Sequence, residues 1–133
     1  MHARLFPSRE SFRELARQGN LIPVYREIIA DMETPVSAFH KIDTGDHSFL
    51  FESVEKGGKF ARYSFLGASP YLTFQARGKN ITLREGTAER AYTIQDDPLH
   101  ELERLMARYK PVTSGDLPLF YGGFFLHLYF LDH

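Results

Sequence analysis

FLFESVEKGGKFARYSFLG, residues 49 to 67, contains two apolar runs of strand length on either side of a turn rich in Lys and Gly. Aromatic and aliphatic residues favour strands and paired glycines favour turns, so the stretch predicts two antiparallel strands. Glu52 and Ser53 interrupt the first run. Either they follow ordinary strand alternation, with Glu52 facing water, or they line a pocket whose polar groups and neighbouring aromatic rings suit an amino acid ligand. The spacing alone leaves both interpretations open.

Further strand-like runs follow at regular intervals around this stretch. From residue 48 to residue 95 the runs SFLFESV, ARYSFLG, YLTFQAR, NITLRE and RAYTIQ are separated by GG, ASP, GKN and EGT. Such spacing predicts an antiparallel meander. Residues 22 to 29, IPVYREII, add a predicted strand before it, and LPLFYGG and FFLHLYF near the C-terminus look like one or two strands buried on both faces.

Three helices are predicted beside this sheet. Ser8 and Thr34 are N-cap residues in front of short helical patterns, and Pro35 suits the first position of the second helix. A third helix is predicted over residues 98 to 109, because apolar residues recur on one face of it. Its core-facing residues are Leu99, Leu102, Leu105 and Met106. The sequence therefore predicts one α+β domain over residues 1 to 133, an antiparallel meander with flanking helices.

Composition and motifs exclude several classes of function. Sixteen Lys and Arg balance seventeen Asp and Glu, giving a net charge of −1, so we expect no nucleic acid partner. The chain has no Cys, no signal-like apolar start and no apolar run of membrane-spanning length, which indicates a cytoplasmic protein without a membrane partner. The six His residues lie at no metal-ligand spacing, and no phosphate-binding or nucleophile motif is present. No catalytic or metal-binding residue and no cofactor is therefore assigned to this chain.

Three blocks of the sequence resemble a known family. LIPVYREIIADMETPVSAFHKI, SFLFESVEKGGKFARYSFLGASP and LPLFYGG, which together span roughly residues 21 to 123, look like the N-terminal part of anthranilate synthase component I. The related aminodeoxychorismate synthase component I is an alternative, although TPVSAF and RYSFLG look more like the anthranilate enzyme. A second alternative is a standalone, non-catalytic module for effector binding or interaction.

The resemblance implies a parent enzyme that converts chorismate to anthranilate and pyruvate, with Mg²⁺ as cofactor. It implies ammonia delivered by a glutamine amidotransferase partner, and feedback inhibition by L-tryptophan in tryptophan synthesis. One wall of the tryptophan site then corresponds to Leu50, Phe51, Glu52 and Ser53, with Lys59 as a further contact. The hypothesis is that Ser53, with Glu52 beside it, holds the ammonium while Leu50 and Phe51 surround the indole.

The resemblance ends after Gly123, where the chain continues as FFLHLYFLDH. The expectation is that the chorismate-binding region is absent, that the chain alone makes no anthranilate, and that it binds tryptophan weakly. A truncated or frame-shifted reading frame and a diverged remnant would each account for such a tail. In the parent enzyme the apolar segment 119 to 131 is expected to pair as strand with the sheet, whereas in this chain alone it would leave a sheet edge or face exposed, which predicts self-association.

Overall fold

A computed structural model describes residues 4–52, 63–113, 117 and 120–126 of the chain. These residues form three α-helices and five β-strands, and every pairing between the strands is antiparallel. The predicted α+β class is confirmed. The chain divides into two compact units, one comprising residues 1–28 and 107–133 and the other residues 29–106. None of the helices in the described ranges is long and apolar enough to cross a membrane.

The first two helices begin at the predicted capping residues. Helix α1, Arg9–Leu15, starts after Ser8, whose side-chain oxygen accepts a hydrogen bond from the Ser11 N–H at 3.2 Å. Helix α2, Pro35–Ile42, starts after Thr34, and the two members of its capping box, Thr34 and Ser37, each accept a hydrogen bond from the other's backbone N–H. These bonds satisfy N–H groups that a helix leaves unpaired at its start, which is why short sequence signals located both helices.

The strand predicted over residues 22 to 29 does not form. Tyr25 alone exchanges a pair of backbone hydrogen bonds with Phe6, each 2.7 Å long, as an isolated bridge. Pro23 has no N–H to donate to a ladder, and the described part of the chain supplies no strand alongside this segment. The β-branched residues that suggested a strand, Ile28 and Ile29, are 71% and 89% exposed. The prediction was therefore wrong at this segment.

The apolar segment near the C-terminus also differs from its prediction. Residues 120–126 contain no strand and are exposed, whereas residues 118, 119 and 127–133 lie outside the described residues. Gly122 and Gly123 interrupt the segment, and glycines weaken a strand because they lose the most backbone entropy on ordering and offer no side chain to pack. The aromatic rings pair locally, with Phe120 and Phe125 edge-to-face at 5.9 Å.

A polar clamp connects the two ends of the first unit. The side-chain amide of Asn20 donates to the Arg108 carbonyl at 2.8 Å and accepts from the Lys110 N–H at 2.6 Å. Leu21 continues this pairing, since its carbonyl accepts from the N–H of Val112, a buried residue, at 2.9 Å. Residues 88 to 90 positions apart in sequence are thereby held side by side.

The second unit contains the strands, which form two sheets where the sequence predicted one. Strands β1, Phe49–Glu52, and β2, Ser64–Gly67, form a two-stranded sheet. Strands β3, Leu72–Arg77, β4, Asn80–Glu85, and β5, Ala88–Thr93, form a three-stranded sheet in sequence order. The connection from β2 to β3 passes through Ser69, whose φ of 52° is a left-handed value uncommon outside glycine. The chain therefore turns out of the first sheet there, and β3 does not return to pair with β2.

The core of the second unit is built on the central strand β4. Ile81 and Leu83 alternate with polar residues on β4 and are only 1% and 2% exposed. Ile94 and Leu105 complete the buried apolar set of this unit within the described residues. Period-two alternation therefore puts one face of the sheet in the core and the other in water, as the meander prediction required.

Helix α3, Pro98–Met106, ends three residues earlier than predicted and uses a different face. Leu105 is buried and Leu102 half-buried, but Leu99 and Met106 are 56% and 45% exposed. The inward stripe runs through positions 98, 101, 102 and 105, which follow helical spacing and include Glu101. Glu101 accepts a hydrogen bond from the Tyr92 hydroxyl at 2.7 Å. This contact turns Glu101 inward, so the inward face of the helix is not the all-apolar face that the sequence predicted.

Candidate functional site

The β1–β2 hairpin carries the residues that the sequence singled out. Its register pairs Phe49 with Gly67, Leu50 with Leu66, Phe51 with Phe65 and Glu52 with Ser64. Because successive side chains of a strand point to opposite faces, and directly paired residues share a face, the register assigns every side chain of the hairpin to one of two faces.

One face of the hairpin is aromatic. We define this aromatic face by Phe49, Phe51, Phe65 and Gly67, which alternate along the two strands. The Phe49 and Phe51 rings lie 5.2 Å apart at 31°, and Phe65 stacks on Tyr63 at 6.4 Å and 19°. Phe51 is 52% exposed and Phe49 and Phe65 are half-buried, so the aromatic face presents apolar surface to solvent mainly at Phe51. Offset rings with exposed faces can accept another flat ring by stacking or edge contact.

The opposite face is mixed. Leu50 and Leu66 are half-buried there, and the pair formed by Glu52 and Ser64 follows at the strand ends. A carboxylate and a hydroxyl lie next to each other on this face, with Glu52 exposed to solvent. These two groups can accept hydrogen bonds from a cation or an amine.

The structure therefore separates the predicted site residues. Leu50 and Glu52 lie on the mixed face, whereas Phe51 lies on the aromatic face, so one ligand on one side of the sheet cannot contact all three side chains. Ser53 and Lys59 lie outside the described residues.

Sequence reasoning missed the partners of Phe51 on the aromatic face. These partners are Phe49, Phe65 and Gly67. The sequence contained a signal for them, because Phe65 and Gly67 alternate with Ser64 and Leu66 in RYSFLG. The missing step was to pair the two runs in register, which the length of the connecting turn does not determine by itself.

Gly67 has a spatial role on the aromatic face. A Cβ built at this position would lie 2.1 Å from Cε1, 2.4 Å from Cζ and 3.0 Å from Cδ1 of Phe49. Three ring atoms thus occupy the space where any other residue would place its side chain. Unlike the glycines in the nearby turns, Gly67 does not have a left-handed φ, so glycine is needed here for room.

A second cluster of titratable groups joins strand β5 to helix α3. Glu101 accepts from the Tyr92 hydroxyl at 2.7 Å and from two nitrogens of Arg104 at 3.0 and 2.8 Å, and Asp96 lies 3.2 Å from Nδ1 of His100. Burial raises the pKa of Tyr92, and its hydrogen bond to Glu101 raises it further. The hydrogen bond from Tyr92, followed by that from Arg104, lowers the pKa of Glu101. These groups satisfy one another, which is typical of a structural network.

His100, in the same cluster, has a shifted pKa. The hydrogen bond with Asp96, followed by the charge of that carboxylate, raises the pKa of His100. A hydrogen bond from the Asp97 N–H, followed by the contact with His100, lowers the pKa of Asp96. Across residues 4–52, 63–113, 117 and 120–126, His, Asp and Glu side chains form no group of three or more that could hold a metal ion.

The chain is similar to curated proteins named as anthranilate synthase component 1 or as an anthranilate synthase alpha subunit. It is 45% identical over 122 residues to anthranilate synthase component 1 of Synechocystis sp., and 34% identical over 118 residues to the protein of that name from Acetivibrio thermocellus. It is 34% identical over 121 residues to the chloroplastic anthranilate synthase alpha subunit 2 of Arabidopsis thaliana. These alignments cover 90%, 89% and 84% of this chain but 23%, 24% and 20% of the relatives.

The similarity confirms the resemblance of the sequence blocks and its position, because the match falls in an N-terminal region of these relatives. The chain spans less than a quarter of the length of the Synechocystis relative. No family model matches the chain. No solved structure matches it either.

Proposed function

Because the chain matches an N-terminal region of anthranilate synthase component 1 over about nine-tenths of its length, we propose that it is the regulatory N-terminal part of such an enzyme. The parent converts chorismate and ammonia to anthranilate and pyruvate, with Mg²⁺ as cofactor and ammonia supplied by a glutamine amidotransferase subunit. The chain contributes the effector-responsive part and no catalytic group of its own. The observation that carries this proposal is the 45% identity over 122 residues.

The β1–β2 hairpin is the part of the chain that suits an amino acid effector. L-Tryptophan presents an indole, an ammonium and a carboxylate, and it requires an apolar surface next to hydrogen-bond acceptors. The aromatic face supplies the apolar surface through Phe51, which is half exposed and lies 5.2 Å from Phe49. We therefore place the indole against Phe51.

The division between the two faces limits the roles of the other predicted residues. With the indole on the aromatic face, the side chains of Leu50 and Glu52 point away from the ligand. Leu50 then supports the strand from the mixed face, and Glu52 contributes to the ammonium site through its backbone carbonyl. Ser53 remains the proposed hydroxyl acceptor for the ammonium, and Lys59 the proposed partner of the carboxylate.

A graft tests the catalytic part of the proposal. The region of the Synechocystis enzyme that matches this chain is replaced by the chain's own residues, and anthranilate formation from chorismate, ammonia and Mg²⁺ is followed by its fluorescence. The proposal predicts an active graft and no anthranilate from the 133-residue chain alone. The control is the Synechocystis enzyme rejoined to its own N-terminal region at the same junction. Anthranilate made by the isolated chain would overturn the assignment of catalysis to the rest of the parent.

Substitution of Ser53 tests the effector site. A buried ammonium that loses an acceptor costs about 1 to 3 kcal/mol, so Ser53→Ala should raise the tryptophan concentration for half-inhibition of the graft by roughly 10- to 100-fold. Glu52→Gln keeps the backbone carbonyl and should change it by less than about twofold. Equal effects of the two substitutions would contradict the assignment of the faces.

Binding to the isolated chain distinguishes the regulatory region from a standalone effector module. The chain contains no Trp, so the indole fluorescence of added L-tryptophan can be followed without a tryptophan background from the protein. The isolated chain is expected to carry only one wall of the tryptophan site, which neither encloses nor desolvates the indole. The dissociation constant of the chain for L-tryptophan should therefore be no tighter than about millimolar. Micromolar binding would favour the standalone module.

A further inference from the structure

The contact between Gly67 and Phe49 has a consequence for the proposed effector site, and the inference drawn from it rests on the proposed function. We propose that Gly67 is a positioning residue for tryptophan inhibition. It does not touch the effector, but it leaves the space that the Phe49 ring occupies, and that ring holds Phe51 in the orientation that receives the indole.

The first step is the space that Gly67 leaves. An alanine Cβ would lie 2.1 Å from Cε1 of Phe49, and ordinary contact between carbon atoms begins near 3.4 Å. The ring would therefore have to move by roughly 1 Å or leave its rotamer. The strand backbone accepts alanine without strain, since the φ of Gly67 is not in the left-handed region. The three atoms nearest to an added methyl group would thus all belong to the Phe49 ring.

The second step is the path from that ring to the site. Phe49 and Phe51 are two residues apart on β1 and share the aromatic face, with ring centroids 5.2 Å apart. Phe51 is 52% exposed, which leaves surface for a ligand to contact. A displaced Phe49 changes the surface against which Phe51 packs. A binding site whose supporting side chains shift by about 1 Å loses affinity even though no ligand-contacting residue has changed.

The test uses the graft described above, with tryptophan inhibition and uninhibited turnover measured on the same preparation. Gly67→Ala should raise the tryptophan concentration for half-inhibition about tenfold, with kcat and the KM for chorismate within about twofold of the unsubstituted graft. Adding Phe49→Leu to Gly67→Ala should restore at least about half of the lost sensitivity on a logarithmic scale, because the smaller side chain can avoid the methyl group. If Gly67 had a purely structural role, Gly67→Ala would lower stability without changing inhibition separately from turnover.

Gly78→Ala is the matched control. Gly78 lies in the turn between β3 and β4 with a φ of 57°, and a Cβ there would meet nothing within 4 Å. The substitution strains the backbone and should lower the melting temperature while leaving inhibition unchanged. If Gly67→Ala fails to fold, Phe49→Ala replaces it, since removing the whole side chain that packs against Phe51, which leucine would partly retain, should also weaken inhibition severalfold at unchanged turnover.

The outcomes separate this inference from the proposed function. An unsubstituted graft that tryptophan does not inhibit overturns the proposed regulation and this inference with it. A graft that tryptophan inhibits, and whose sensitivity neither Gly67→Ala nor Phe49→Ala changes, overturns only the positioning role. Reduced sensitivity that appears equally in Gly78→Ala assigns the effect to general destabilisation and also overturns it.

Discussion

Replacement of Asn20 by alanine tests the clamp that joins the two ends of the first unit. The amide of Asn20 donates to the Arg108 carbonyl at 2.8 Å and accepts from the Lys110 N–H at 2.6 Å. A hydrogen bond contributes about 0.5 to 1.5 kcal/mol net, and both bonds are exposed to solvent, so the lower half of that range applies to each. Asn20→Ala should therefore lower the free energy of unfolding by about 1 to 2 kcal/mol, which corresponds to a melting temperature lower by roughly 3 to 8 °C.

Circular dichroism during urea and thermal unfolding measures this loss. Asn20→Asp keeps an acceptor for the Lys110 N–H but places a second oxygen against the Arg108 carbonyl, so it should destabilise the chain at least as much as Asn20→Ala. Gln18→Ala is the control, because the side chain of Gln18 is exposed and makes no hydrogen bond within the described part of the chain, and it should change stability by less than about 0.5 kcal/mol. Equal effects of Asn20→Ala and Gln18→Ala would refute the clamp.

Three further predictions concern the core, the charged cluster and the apolar segment. Ile81→Ala should cost about 2 to 5 kcal/mol in urea unfolding because Ile81 is 1% exposed, whereas a loss below 1 kcal/mol would contradict the assigned core. The raised pKa of His100 means that its contribution to stability is fully present below its unfolded pKa and is lost as the pH rises through the folded pKa. Unfolding between pH 5 and about pH 8 should therefore show a stability gain at the acidic end that His100→Gln reduces, and an unchanged pH profile would exclude the contact with Asp96. Phe125→Ser should reduce the concentration-dependent self-association that sedimentation velocity is expected to show for the isolated chain, since Phe125 is 44% exposed; a monomer at every concentration would refute this prediction.

Local signals in the sequence located the helices and most strands. Ser8 and Thr34 form the predicted caps, and the turns between β3 and β4 and between β4 and β5 lie between the predicted runs, because caps and turns depend on residues within a few positions of each other. Pairing over longer distances was not predictable in the same way. Residues 22 to 29 have strand composition, yet a strand also needs a neighbour, and the sequence does not show that only Tyr25 obtains one.

The α3 face and the hairpin show the same limit at the level of side chains. Leu99 and Met106 are apolar and helically spaced, but the hydrogen bond from Tyr92 turns Glu101 inward. In the hairpin, the family resemblance assigned both Leu50 and Phe51 to the site, and the register was needed to show that Leu50 lies on the other face. The ring of Phe49 above Gly67 follows from that register and from no local pattern.

The graft into the Synechocystis enzyme tests the central claim most directly, through ammonia-dependent anthranilate formation measured with and without L-tryptophan. The account predicts turnover within about tenfold of the Synechocystis enzyme rejoined to its own N-terminal region. It also predicts that tryptophan inhibits the graft at concentrations far below the roughly millimolar dissociation constant expected for the isolated chain. A graft that folds but forms no anthranilate, or that forms it at the same rate at every tryptophan concentration, would contradict the claim that this chain is the regulatory N-terminal part of such an enzyme.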